Sequence, residues 1–497
     1  MGAAYRELER RFARLSRLEA VAGLLSWDSH TMMPAGGAAA RAEQIATLEG
    51  VRHDLLADAA VGELIDRAKS EADGLDPWEI ANLAEMGRRW RHASAVDKTL
   101  VEALARATTA SEMRWRRAKE EDDFAGLVPA LKEVLDLVRD VAERKAQVFG
   151  CAPYDALLDA YEPGARAADI DPLFDDLAAF LTGLLPEVLD RERRRGPPLP
   201  LDGPFPVAAQ RALCVCLMKA LGFDFDHGRL DVSRHPFCGG TPEDVRITTR
   251  YREDDALQAV MAVLHETGHA LYDRGLPARW RHQPVGGARS MSVHESQSLL
   301  IEMQACRSLE FMTFAAPLMR EAFSRAGPAW EPENLFRLYT QVKPGPIRVD
   351  ADEVTYPAHI LLRYRLEQAL IANKVEVDDL PAAWREGMMD LLGLAPKDDR
   401  EGCLQDIHWA EGEFGYFPTY TLGALIAAQL FAAATRDEPG LLAAIADGDF
   451  APLRAWLARH VHGLASSLST VEIVRGATGQ PLGTEAFKAH LKARYLG

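Results

Sequence analysis

The stretch LQAVMAVLHETGHALYDRG, residues 257–275, decides how the chain is read. It contains an H-E-x-x-H motif at His265, Glu266 and His269. Val260, Val263, Leu264 and Ala270 supply apolar packing around it, and Asp254 and Asp255 suit the first turn of a helix. Gly275 suits the position just past the helix end. Four residues advance a helix by about 400°, so His265 and His269 lie about 40° apart on one face. Two imidazoles one turn apart can converge on a single ion at about 2.0–2.1 Å. Glu266 points along an adjacent face and reaches a water beside the ion without being a ligand.

A catalytic zinc site takes three protein ligands and keeps one position open. The next acidic residue in a histidine context is Glu295, in SMSVHESQSLLIEMQACRSLEFM. The intervening LPARWRHQPVGGARS is loop-like, with Pro277, Pro284, Gly286 and Gly287. Glu295 therefore opens a second helix packed on the first, giving the ion two nitrogens and one oxygen. His294 points about 100° away from Glu295 and competes poorly as a ligand; a supporting or core role suits it better. Glu302 follows on the same face as Glu295, while Glu310, farther along the same predicted helix, reads as structural. Asp273, one turn past His269, either accepts the free ring N–H of a liganding histidine or is an ordinary surface residue.

The 497 residues are 48% apolar and 26% charged, which fits a globular protein and excludes a disordered or collagenous chain. A formal charge of −17 disfavours a nucleic-acid backbone binder. It leaves room for a local basic pocket. The six cysteines have no C-x₂-C spacing and read as mostly buried free thiols in a reducing compartment. The N-terminus is charged and amphipathic and lacks the pattern of a secretory signal, and no apolar run is long enough to span a membrane, so the cytoplasm is the expected location.

Residues 1–195 read as a mainly helical region, broken at WDSHTMMPAGG (27–37). Residues 196–206 are Pro/Gly-rich and read as a linker. Residues 207–497 form the helical metal-binding region, with one strand at about 240–251, where Val245, Ile247, Thr249 and Tyr251 alternate with polar residues. Further helical runs are expected at 296–315, 358–373 and 451–463. The fold expected from these patterns is mostly α-helical with a small β-sheet near the active site.

Six motifs in order resemble the carboxypeptidase Taq type of metallocarboxypeptidases, peptidase family M32. They are His235-Pro236-Phe237, then Asp244/Arg246/Thr248, then residues 265–269, then residues 294–297, then Ile347/Arg348/Ala351/Asp352, and last Gly402/Gln405/Asp406/His408/Trp409. The resemblance covers most of the chain. It implies zinc-dependent release of single residues from peptide C-termini, one ion per subunit with cobalt as a possible substitute, a zincin-type helical fold whose two largely helical regions pack around a long, deep central groove, and a homodimer. It also implies that a late His and Tyr pair hold the substrate and its oxyanion. His408 and Tyr420 fill that place here, with Tyr416 the rival for the tyrosine role.

An exopeptidase must read a free carboxylate, for which a planar guanidinium is the matching group. Arg348 sits in KPGPIRVDAD, a loop stiffened by Pro344 and Pro346, where Asp350 and Asp352 are placed to orient it. Arg246 reads first as an ion-pair partner of Asp244 and second as a substrate-groove residue. Two other functions share these features: a zinc endopeptidase or dipeptidase without the carboxylate anchor, and a non-catalytic peptide-binding protein with a structural metal.

Overall fold

The computed structural model describes residues 2–497. It is mostly helical, with one three-stranded sheet. The strands are β1 (Gly228–Val232), β2 (Phe237–Thr241) and β3 (Asp244–Thr249), in the order β1-β3-β2. β1 runs parallel and β2 antiparallel to β3. The expected strand is β3. Its Val245, Ile247 and Thr249 are buried as the alternation requires, and Thr248 is buried as well, because its hydroxyl accepts from the Phe237 amide at 3.0 Å.

The chain divides into two compact units, each assembled from three stretches. The first comprises Met1–Ala93, Pro198–Tyr339 and Gly423–Leu482; the second comprises Ser94–Pro197, Thr340–Leu422 and Gly483–Gly497. One crossing between the units, at Pro197/Pro198, falls inside the 196–206 stretch, and each unit also takes in stretches from both sides of it, because helices far apart in sequence pack together within each. Residues 196–206 themselves have no regular secondary structure, as their prolines dictate.

In the first unit the H-E-x-x-H motif lies on the helix Ala256–Gly275. Asp255 caps it, accepting from the amides of Leu257 and Gln258. The helix packs on β3, on the helix Val207–Leu221 and on the helix Met291–Leu299. Its apolar face (Val260, Val263, Leu264 and Ala270) joins the main core of this unit. Gly275 is the last residue inside the helix and not a left-handed residue beyond it. It is small for packing: a Cβ there would stand 2.7 Å from His462 Nδ1.

The expected continuous helix over 296–315 is broken. Met291–Leu299 is α-helical, Leu300–Cys306 is π-helical, and a new helix, Leu309–Phe323, starts behind a Ser308 cap. Glu310 therefore belongs to a different helix from Glu302.

The second unit contains the long helices Lys98–Glu121, Phe124–Phe149 and Ala167–Arg195. Tyr356–Ile371 is its most buried helix, with twelve of sixteen residues inside. The six cysteines are free: three buried, two partly buried and Cys216 exposed.

Candidate active site

Gly268, between the two motif histidines, makes the site possible. A Cβ on it would lie 2.5 Å from the Gln297 carbonyl oxygen, so only glycine lets the Met291–Leu299 helix come this close. That approach brings Glu295 to the histidines. Glu295 Oε2 is 3.5 Å from His269 Nε2 and 4.0 Å from His265 Nε2. The ligand atoms of His265, His269 and Glu295 all lie within 4.8 Å of one another. Tetrahedral ligands at zinc are about 3.3 Å apart, so modest side-chain adjustment closes the set on an ion.

The charges around these residues fit a cation. Burial disfavours charge on His265, but a hydrogen bond from its Nδ1 to Glu302 Oε2 (2.8 Å) and the Glu295 and Glu266 carboxylates push its pKa up to about 10. That pull is the attraction that a divalent ion satisfies in place of the proton. Burial and the neighbouring His294 hold His269 down to about 4, which leaves it neutral and able to ligate. Burial works to raise Glu295, and the facing imidazoles of His269 and His265 more than reverse it. Glu302 takes a second bond from Arg307 at 2.5 Å.

Glu266 is buried, and burial pushes its carboxyl up to about 7 against the opposing pull of His265. No protein hydrogen bond engages it among the described residues, which leaves its oxygens available to a water. Asp273 does not serve a liganding histidine. It pairs with His294 Nε2 at 3.1 Å, and His294 in turn stacks on His269 with ring centroids 4.4 Å apart. His294 is thus a wall of the site. Arg246 makes a two-point ion pair with Asp244, as expected, at 2.9 and 2.6 Å.

Within the second unit, Arg348 is almost wholly buried at 7% exposure. The sequence placed Asp350 and Asp352 beside it, and neither holds its side chain. Asp350 is exposed, and Asp352 accepts backbone amides from Lys343, Val354 and Thr355. The partner is Asp406, whose Oδ1 accepts from Arg348 Nε (3.1 Å) and Nη2 (2.8 Å). Nη1 donates to the Tyr356 hydroxyl at 3.0 Å. These bonds leave one N–H on each terminal nitrogen for a further acceptor. Gln405 fixes the loop by accepting from the Arg348 amide and donating to the Pro346 carbonyl.

Asp406 Oδ2 accepts from a second arginine, Arg363 Nε, at 2.6 Å. His359 and His408 beside them stay neutral, held by burial and the arginines to about 3 and about 4. Two guanidiniums thus share one carboxylate, and the cluster carries an excess of positive charge wherever the nearby Glu367, pushed up to about 7 by burial, keeps its proton.

Rings enclose the pair. The Arg348 guanidinium lies 5.4 Å from the Tyr420 centroid and 5.7 Å from that of Phe417, and His408 stacks on Tyr416 at 5.8 Å. The structure thus brings Arg348, His408, Tyr416 and Tyr420 together in one unit, and His265, Glu266, His269 and Glu295 in the other. Sequence reasoning missed Arg363 and Glu367. The available signal was the four-residue spacing of His359, Arg363 and Glu367 in the apolar helix YPAHILLRYRLEQALI.

A family model described as carboxypeptidase Taq (M32) metallopeptidase matches residues 7–495. The thermostable carboxypeptidase 1 of Thermus thermophilus is 40% identical over 502 residues, covering 98% of this chain and 97% of that protein. Carboxypeptidase 1 of Bacillus subtilis is 34% identical over 487 residues, covering 97% and 96%. Among solved structures, Trypanosoma cruzi metallocarboxypeptidase 1 superposes with a TM-score of 0.98 at 42% identity over 99% of both chains. The M32 carboxypeptidase of Deinococcus radiodurans gives 0.93 at 33% identity, again over 99% of both.

Proposed function

The chain belongs to the carboxypeptidase Taq (M32) family of metallopeptidases, and we propose how its own residues divide the work of zinc-dependent carboxypeptidase activity. The observation that carries the proposal is the convergence of His265, His269 and Glu295 beside an unengaged Glu266. The three convergent residues would hold the ion, and Nε2 is the nitrogen that His265 would offer because its Nδ1 is committed to Glu302. When bound, the ion polarises the scissile carbonyl and acidifies a neighbouring water.

Glu266 accepts the proton of the attacking water and passes it to the departing nitrogen. Its burial keeps the carboxylate basic enough to take that proton. Arg348 receives the free carboxylate of the substrate on its two remaining N–H groups, and the uncompensated positive charge beside it favours that anion. His408 and Tyr420 meet the developing oxyanion, with Tyr416 the second candidate for the tyrosine role. His408, being neutral, donates a hydrogen bond without first acquiring a proton. Arg246, committed to Asp244, contributes to the substrate groove only secondarily.

The test is the product ladder of one peptide as free acid and as C-terminal amide, with and without chelator. Stepwise loss of single residues from the free acid, abolished by chelation and restored by zinc or cobalt, is expected. Equal internal cleavage of both forms would defeat the reading.

A reducing, cytoplasmic setting is proposed from the six unpaired cysteines and is checked by cell fractionation. A homodimer is proposed from the family resemblance and is checked by light scattering. Among the described residues no helix is long and apolar enough to cross a membrane. The charge of −17 supports peptides over nucleic acid as partners.

A further inference from the structure

Arg363 has no contact with solvent: its exposure is 0%. Trp384 covers the guanidinium, with 4.5 Å from its carbon to the ring centroid, and Phe417 lies 5.5 Å away. Nη1 is spent on the carbonyl of His359, one turn back on the same helix, at 2.8 Å. Nε donates to Asp406 Oδ2 at 2.6 Å, and Nη2 lies 2.6 Å from the same oxygen as a charge contact without hydrogen-bond alignment. A residue so enclosed touches no substrate, yet it keeps a charge in a buried place where one Arg–Asp pair would already be neutral. Burying an ion beyond that pair carries a desolvation penalty, so a plain structural role is served better by an apolar side chain of similar volume.

The arrangement around Asp406 supplies a reason. Its two oxygens face in different directions, Oδ1 to Arg348 and Oδ2 to Arg363. With Arg363 absent, Oδ2 loses its donor, the carboxylate is held from one side only, and its whole charge is spent neutralising Arg348. With Arg363 present, one carboxylate serves two cations, so the Arg348 fork is held in place and the cluster remains positive. On the reading of Arg348 as the carboxylate anchor, we infer that Arg363 is a positioning residue that acts through Asp406, fixing the Arg348 fork and preserving the positive charge by which a substrate's terminal carboxylate is recognised. The Tyr356–Ile371 helix extends the same support one turn further. There Glu367 accepts from Tyr154, Trp409 Nε1 and the Gly415 amide, tying down both sides of the loop that follows Asp406.

The experiment compares wild type with Arg363→Gln, Arg363→Lys, Arg348→Ala and the Arg348→Ala/Arg363→Gln double variant. It reads KM and kcat on a free-acid peptide. It also reads inhibition by a free amino acid, which needs the anchor, and by acetohydroxamate, which binds metal and has no carboxylate. Arg363→Gln is expected to raise KM and the amino-acid inhibition constant about tenfold or more, as loss of a charge-assisted contact does, with acetohydroxamate inhibition and bound metal unchanged. Arg363→Lys restores part of the loss, because it returns the charge but not the fork. It also stands in if the glutamine variant does not fold. The double variant is no weaker toward the amino acid than Arg348→Ala alone, as residues acting in series require. Unchanged amino-acid inhibition in both single Arg363 variants, beside a defective Arg348→Ala, overturns the inference and leaves the anchor standing. Equal loss toward both inhibitors overturns it in favour of general structural damage. A normal Arg348→Ala removes the anchor itself, and the inference with it.

Discussion

Glu302 Oε2 lies 2.8 Å from His265 Nδ1, and the other oxygen of the same carboxylate takes a hydrogen bond from Arg307 at 2.5 Å. The relationship decides which nitrogen of His265 carries the proton. Nδ1–H donates to Glu302, so the lone pair stands on Nε2, which faces Glu295. Arg307 keeps Glu302 charged: burial works to raise its pKa, and the guanidinium and His265 bring it below the ordinary glutamate value. The π-helical segment Leu300–Cys306 carries Glu302 to this contact, an instance of such a segment at a functional site.

Glu302→Ala is expected to lower metal affinity about 10–100-fold, the usual range for a residue that orients a liganding histidine. The change also leaves Arg307 without this carboxylate, a positive charge near a cation site. Glu302→Gln keeps an acceptor and recovers part of the affinity. Competition with a chromogenic chelator measures both. Wild-type affinity in the alanine variant would show that His265 needs no such support.

Glu266→Gln preserves shape and removes the proton acceptor. Bound metal stays stoichiometric, and kcat falls about 10²–10⁴-fold, the typical worth of a positioned general base. Elemental analysis of the dialysed variant accompanies the rate. Loss of metal would make Glu266 a structural element of the site, and near-normal turnover would remove it from the reaction.

The metal-binding half of this arrangement was legible because its signals are local. Two histidines and a glutamate on one amphipathic helix are read from spacing, and Glu295 follows a clear loop. What depends on distant packing was not legible. The partner of Arg348 is Asp406, 58 residues away, and nearer aspartates offered a false choice. β1 (GRLDV) and β2 (FCGGT) are five residues each, too short and too glycine-bearing for alternation to show, and only their pairing with β3 makes them strands. The break after Cys306 was hidden because apolar residues continue through LLIEMQAC at helical spacing. The two compact units interleave along the chain, which no local pattern encodes.

Glu367 gives a pH signature in stability. Burial raises its carboxyl from 4.5 to about 7, against hydrogen bonds from Trp409, Tyr154 and Gly415 and the charge of Arg363. Below pH 4.5 the group is protonated in both folded and unfolded chains. Between pH 4.5 and about 7 the unfolded chain has released the proton and the folded chain retains it, so the contribution of this group to stability falls as pH rises. Above about 7 it is level again. Glu367→Gln removes this slope. Thermal midpoints of wild type and variant at pH 5 and pH 8 are the measurement, and the advantage of wild type over variant is expected to shrink at pH 8. A difference that is the same at both pH values would show that Glu367 does not titrate in this window.

Arg348→Ala tests the anchor directly. The guanidinium is buried, Asp406 holds it by Nε and Nη2, and Tyr356 holds it by Nη1, so its remaining N–H pair is fixed before any substrate arrives. A pre-oriented donor pair loses little freedom on binding a carboxylate, and this is where rigid arginine has the advantage over lysine. Removing it costs the charge-assisted bonds, roughly 1.5–3 kcal/mol, or about 10–150-fold in kcat/KM on a free-acid peptide. It also leaves Asp406 facing the empty place with its charge shared only by Arg363 and its Oδ1 oxygen unanswered, which adds repulsion toward an anionic terminus. The loss is therefore expected to be larger for a free acid than for a neutral C-terminal analogue, and the preference of wild type for the free acid narrows in the variant. Rates on the paired substrates for both proteins settle it. If Arg348→Ala cleaves the free acid at the wild-type rate, the anchor lies elsewhere, and Arg246, the next candidate by sequence, is the residue to exchange.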